Sequence, residues 1–88
     1  MKTHILKLNK DYVDLVMLNI KKFELRKNDR DYQIDDKIHF VDVDGNDFNN
    51  HFRTQDSTNL FVITYILQDV PEYGLDEDFC ILGIERVY

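Results

Sequence analysis

The feature that most constrains the fold is a single helical pattern in a chain whose other apolar segments are typical of β-strands. Apolar residues recur at helical spacing from Tyr12 onward and Asn9 is a suitable N-cap, so one amphipathic helix is predicted over residues 10–20. Strands are predicted at residues 3–8, 22–28, 37–43, 60–67 and 79–88. One helix cannot cover both faces of an open sheet of this size, whereas a barrel encloses one face. We therefore predict an α+β, mainly β fold: a small barrel of five to six strands capped by one main helix, residues about 10–20.

Three segments refine this prediction. Residues 60–67, LFVITYIL, are apolar at nearly every position, which indicates a central strand with both faces covered. Gly83 lies inside the last strand and indicates a bend or bulge. Residues 44–59 are rich in turn formers, so we expect a long loop or an irregular hairpin that Phe48 and Phe52 attach to the body of the protein.

Length and composition indicate a small soluble domain. The 88 residues predict one domain over 1–88 with a thin core. No apolar run approaches the roughly 20 residues of a membrane span, and MKTHILKLNK lacks the features of a signal peptide. With Cys80 as the only cysteine no internal disulfide can form, and we expect it to be a small core residue. A cytoplasmic location is the default expectation.

The stretch KKFELRKNDR, residues 21–30, concentrates positive charge in a chain of net charge −6. Lys22, Glu24 and Arg26 alternate with Phe23 and Leu25, which predicts a strand with its apolar side chains in the core and its charged ones on the other face. One interpretation is a solvated face whose ion pairs each contribute about 0–1 kcal/mol. The other is a local site that attracts an anionic ligand to an otherwise acidic protein.

The second interpretation assigns chemistry to individual side chains. Arg26 could present a planar donor fork to a phosphate or a base edge, and Glu24 could accept a hydrogen bond from an amino group of a base. Lys21 could neutralise an oxyanion or transfer a proton. The overall charge disfavours coating of long nucleic acids, so a small ligand is expected. We expect no metal and no cofactor, since no zinc-site spacing, P-loop or dinucleotide fingerprint is present.

The motif K-x-x-E-x-R formed by Lys21, Glu24 and Arg26, followed by NDRDYQ and KIHF, resembles the ASCH domain family of the PUA-like superfamily. The opening HILKL and the later segments VITYILQDV and YGLDEDFCILGI extend the likeness over most of the chain, closest to small bacterial and phage-encoded ASCH-like proteins of unknown function. The resemblance implies a PUA-like β-barrel and a cleft for RNA or a nucleotide, lined by the three motif residues. It adds Arg30 as a further ligand contact.

The resemblance also carries alternatives and departures. Some ASCH proteins hydrolyse the acetyl amide of acetylated cytidine with a motif lysine and a threonine, so an amidohydrolase using Lys21 and Glu24 is an alternative, although Glu24 stands where those enzymes have the hydroxyl. Thr64 is the nearest hydroxyl candidate, in a strand where a structural role is expected. Asn19 and the pair Asp35-Asp36 replace family glycine positions that need left-handed backbone, which Asn and Asp tolerate. A third possibility is a phage-type interaction protein whose acidic surface, including residues 69–78, binds a basic host protein.

Overall fold

The computed structural model describes residues 1–48 and 59–87. Five strands form one sheet: β1 (Thr3–Lys7), β2 (Phe23–Lys27), β3 (Lys37–Val41), β4 (Phe61–Leu67) and β5 (Phe79–Arg86). One helix, α1 (Lys10–Met17), follows β1, and a short 3-10 turn, Pro71–Tyr73, lies between β4 and β5. The strand order is β1-β3-β4-β5-β2, in which β1 runs parallel to β3 and the other neighbours are antiparallel.

The sheet is curled into a half-barrel, which confirms a mainly β fold with one short helix. β1 and β2 lie at the two ends of the strand order, and within the described residues no backbone ladder joins them. The predicted closure that removes the sheet edges is therefore not reached by main-chain pairing. Instead, Arg26 Nη2 donates to the Lys7 carbonyl (2.5 Å) and Arg30 Nη1 donates to the Ile5 carbonyl (3.0 Å), so two guanidinium groups span from the β2 side to edge strand β1.

Helix α1 begins as predicted and ends three residues early. The Asn9 side chain accepts a hydrogen bond from the Asp11 amide (3.0 Å), which satisfies one donor of the first turn. The helix stops at Met17 because Asn19 takes a left-handed conformation with φ 60°. This confirms the expectation for Asn19 and lets the chain turn directly into β2. The buried face of α1 consists of Val13 and Val16, which belong to the core.

The predicted irregularity at Gly83 is present as a β-bulge on the neighbouring strand. Ile63 and Tyr65 of β4 pair with Ile84 and Gly83 of β5, which leaves Thr64 as the extra residue. A Cβ at Gly83 would lie 2.9 Å from Thr64 Oγ1, so the bulged side chain occupies the space that the glycine leaves. β4 is central as predicted, but its outer face is not covered, since Tyr65 is 61% exposed.

The core lies on the concave side of the sheet, under α1. It consists of Leu6, Leu8, Val13, Val16, Tyr32, Ile38, Phe40, Phe48, Phe61, Ile63, Cys80, Leu82 and Ile84. Cys80 is a core residue, as expected, and burial raises the pKa of its thiol. Phe48 is buried as predicted, while Phe52 and most of the predicted loop lie outside the described residues.

A buried carboxylate connects β1 to the turn before β3. Asp36 is 2% exposed and accepts hydrogen bonds from His4 Nε2 (2.8 Å), the Lys2 amide (3.1 Å) and the Gln33 amide (3.1 Å). Burial by itself would raise the pKa of Asp36, but the bond from His4 and the two amide bonds outweigh it and leave that pKa lowered. The preceding residue, Asp35, has φ 76°, which confirms the expected left-handed position.

Candidate functional site

A cleft of about 450 Å³ opens between the start of α1 and edge strand β2. Its volume lies in the range of small-molecule sites, about 300–1,000 Å³. Residues from both sides line it: Lys7, Leu8, Asn9, Tyr12, Lys21, Phe23, Glu24, Leu25 and Arg26. All three residues of the K-x-x-E-x-R motif therefore meet at one cleft, where three cationic side chains accompany a single carboxylate.

The predicted orientation of β2 is wrong. Phe23 and Leu25 were expected in the core but are 49% and 55% exposed, whereas Glu24 is only 4% exposed. Alternation defines two faces of a strand without saying which is covered. Here the inner face of β2 carries a charge because two cations compensate it, and the apolar side chains are left on the outer face.

Glu24 holds the two cations in place. Its Oε1 accepts a hydrogen bond from Lys21 Nζ (2.5 Å), and its Oε2 accepts one from Arg26 Nε (3.2 Å), with Arg26 Nη2 3.1 Å away. A buried carboxylate without partners would be strongly unfavourable, so this arrangement accounts for the burial. Each oxygen of Glu24 already has a cationic partner, which favours a positioning role over the expected contact with a base.

Lys21 lies between two exposed aromatic rings. Its Nζ is 5.4 Å from the centre of the Tyr12 ring and 4.8 Å from that of Phe23, and it also donates to the Phe23 carbonyl (2.8 Å). These contacts fall within cation–π range. Tyr12 begins the apolar spacing that predicted the helix, yet it is 48% exposed and lines the cleft. The sequence signal that could have assigned Tyr12 to the site was its position, one turn after the N-cap Asn9.

The two arginines of the predicted site are placed differently. Arg26 lines the cleft, while its Nη2 also donates to Lys7. Arg30 lies outside the residues that line the cleft, and its guanidinium donates to Ile5 on the edge of β1. The structure thus brings Lys21, Glu24 and Arg26 together and gives Arg30 a contact that joins the two sheet edges.

Other chemistry-bearing residues lie away from this cleft. Thr64 is exposed on the bulge of β4, outside the cleft lining. Across residues 1–48 and 59–87, no group of three or more His, Cys, Asp and Glu side chains is arranged to hold a metal ion. In the same ranges, no helix has the length and apolar character needed to cross a membrane.

Comparison with known proteins places the chain in a family. Residues 3–84 match the model of a domain of unknown function, DUF3850. The chain belongs to this family. The matched range of DUF3850 runs from the start of β1 into β5 and includes every residue that lines the cleft. No curated protein matches the chain.

Proposed function

We propose that this DUF3850 chain is an ASCH-type, PUA-like domain whose cleft binds a nucleotide or a short RNA. The observation that carries the proposal is the placement of Lys21 between the rings of Tyr12 and Phe23, at the mouth of a cleft with a charged floor. Nucleobases stack on exposed aromatic rings, and such stacking contributes about 1–3 kcal/mol per base.

The charges of the cleft favour an anionic ligand. Lys7, Lys21 and Arg26 line it together with the single carboxylate of Glu24, which is saturated by the two nearer cations. A phosphate entering the cleft meets a local excess of positive charge on a protein of net charge −6. This combination favours a small ligand over a long strand, because few phosphates can be neutralised at once.

Within this proposal the motif residues have separate roles. Lys21 and Arg26 contact the ligand, and Glu24 holds both cations in the orientation that they need. Arg30 supports ligand binding indirectly in this proposal and does not contact the ligand. Its guanidinium donates to Ile5 of β1, the edge strand that carries Lys7.

The test is a titration of nucleoside 5′-monophosphates, followed by amide shifts in NMR spectra. Binding should shift the amides of Tyr12, Lys21 and Phe23, and Lys21→Gln should weaken it at least about tenfold, because one charge-assisted contact is removed. Lys22→Gln is the matched control, since Lys22 is exposed and outside the cleft lining. The absence of cleft shifts with every monophosphate and short RNA would refute the proposal.

The second candidate is hydrolysis of an acylated nucleoside, which one observation favours. Lys21 Nζ and Glu24 Oε1 are 2.5 Å apart among the residues that line the cleft, and such a lysine–carboxylate pair is able to transfer a proton. Acetylated cytidine is the substrate to test. Turnover that disappears in Lys21→Gln would establish this activity, and an inert parent protein would remove it.

A further inference from the structure

A row of three residues crosses the outer face of the sheet beside the cleft. Gly83 of β5 pairs with Phe23 of β2 on one side and with Tyr65 of β4 on the other. Directly paired residues share a face, so the two aromatic side chains stand on either side of a residue without a side chain. Both are largely exposed, at 49% for Phe23 and 61% for Tyr65.

The spacing of this row suits a flat ring. Two strand spacings place the backbones of Phe23 and Tyr65 about 9–10 Å apart. A planar ring held between two others needs about 7 Å from ring to ring, since each contact is about 3.5 Å. Rings that lean inward from these backbone positions would leave a slot of that width, with Gly83 at its floor.

The floor of the slot also carries a hydrogen-bonding group. The bulge leaves Thr64 exposed, and its Oγ1 lies 2.9 Å from the point where a Cβ of Gly83 would stand. A hydroxyl can both donate and accept, so it can pair with any base edge that enters. The slot thus combines two stacking surfaces with one polar contact, which is how proteins commonly hold unstacked bases.

Phe23 joins this slot to the cleft. The same ring lies 4.8 Å from Lys21 Nζ, lines the cleft, and stands opposite Gly83 on the outer face. A base in the cleft and a base in the slot would therefore lie on neighbouring sides of one aromatic side chain.

We propose that the slot formed by Phe23, Gly83 and Tyr65, with Thr64 at its floor, is a second base-binding subsite. The preferred ligand of this chain is then a single-stranded oligonucleotide of at least two nucleotides rather than a mononucleotide. This inference rests on the proposed function of the cleft and extends it to the outer face of the sheet.

The test compares a 5′-phosphorylated RNA dinucleotide with the matching mononucleotide on the full chain. The dinucleotide should bind at least about fivefold more tightly, the lower end of what one stacked base contributes. Tyr65→Ala should remove that gain and leave mononucleotide affinity unchanged. Tyr73→Ala is the matched control, because Tyr73 is also exposed, at 84%, but lies in the 3-10 turn of the acidic segment.

Each outcome is informative. Mononucleotide binding with no gain for the dinucleotide overturns the second subsite and leaves the proposed function intact, whereas no binding of either ligand overturns both. The outer face also carries the aliphatic side chains of Leu25, Leu67 and Ile81. If sedimentation shows a dimer that Tyr65→Ala makes monomeric, this face belongs to a second copy of the chain, and the oligonucleotide assignment is overturned.

Discussion

At the scale of single residues, two buried carboxylates show how charge is placed in this small core. Glu24 and Asp36 are both nearly inaccessible, and among the described residues the partners of their carboxylates are cations, a histidine and backbone amides. Burial of a carboxylate is tolerated only when its partners replace water. The two residues have different roles, because Glu24 lines a cleft while Asp36 connects the start of β1 to the turn before β3.

Asp36→Asn should destabilise the fold. The amide keeps the shape but weakens the bond from His4 and turns a donor toward neighbouring donors, so the free energy of unfolding should fall by about 1.5–3 kcal/mol. Asp35→Asn is the control, since Asp35 is exposed and asparagine accepts its left-handed backbone equally well. Chemical denaturation of the three proteins measures the difference, and equal stabilities would contradict the structural role.

The stability difference between the parent and Asp36→Asn should also depend on pH, with a defined sign. Because the folded-state pKa of Asp36 is lowered, the unfolded chain takes up the proton first, and the stabilisation is lost as pH falls below about 4. The stability difference between the parent and Asp36→Asn should therefore be largest near neutral pH and shrink toward pH 3. A difference that grows in acid would contradict this assignment.

At the scale of elements, the bulge in β4 is the feature that shapes the outer face. The extra residue Thr64 turns its side chain over Gly83, and the strand resumes its pairing at Tyr65. Bulges bend the strand that contains them and increase its twist, which suits a sheet that must curl around a thin core. Gly83 is required here because the bulged side chain fills the space that any Cβ would need.

Gly83→Ala should therefore destabilise the protein by about 1 kcal/mol, because the added Cβ would stand 2.9 Å from Thr64 Oγ1. The next nearest atom, the Tyr65 amide nitrogen, would be 3.5 Å away, at ordinary contact distance. In the Thr64→Ala background the same substitution should then cost little or nothing. A double-mutant cycle by thermal or chemical denaturation measures this coupling, and additive effects would show that the contact is not the cause.

At the scale of the whole molecule, the two edge strands of the half-barrel are joined, within residues 1–48 and 59–87, by side chains rather than by a backbone ladder. The guanidinium groups of Arg26 and Arg30 donate to carbonyls of β1 that face away from β3. This satisfies exposed acceptors on an edge strand and also makes the edge a poor template for pairing with another chain. The positive stretch at residues 21–30 thus has a structural function in addition to the one proposed for the cleft.

Arg30→Gln should weaken the contact between the β2 side and edge strand β1, referred to as the seam, without unfolding the core. Losing one exposed hydrogen bond should lower the free energy of unfolding by about 0.5 kcal/mol, and amide hydrogen exchange in β1 should accelerate while that in β4 and β5 stays unchanged. Lys27→Gln is the matched control, because Lys27 of β2 is also an exposed cation. Uniform acceleration in all strands would indicate global destabilisation instead of a local seam.

Much of the fold followed from local patterns. The helix start at Asn9, the central position of β4 and the irregularity at Gly83 were all predicted from local sequence patterns and are present. Each depends on neighbours within a few residues or on backbone preferences of one residue type. The sequence of a short segment is therefore enough to predict such features.

The outcome at β2 depended on the tertiary structure. Alternation identified two faces of the strand, but the buried one carries Glu24 because Lys21 and Arg26 meet it there, and Tyr12 joins them from a different element. Arg30 likewise found its partner on β1, which the chain reaches only by folding. The sequence by itself determined which segments form strands and helix and which residues could act together. The tertiary structure decided which of them face the cleft, because burial of a charge depends on the partners that other elements bring to it.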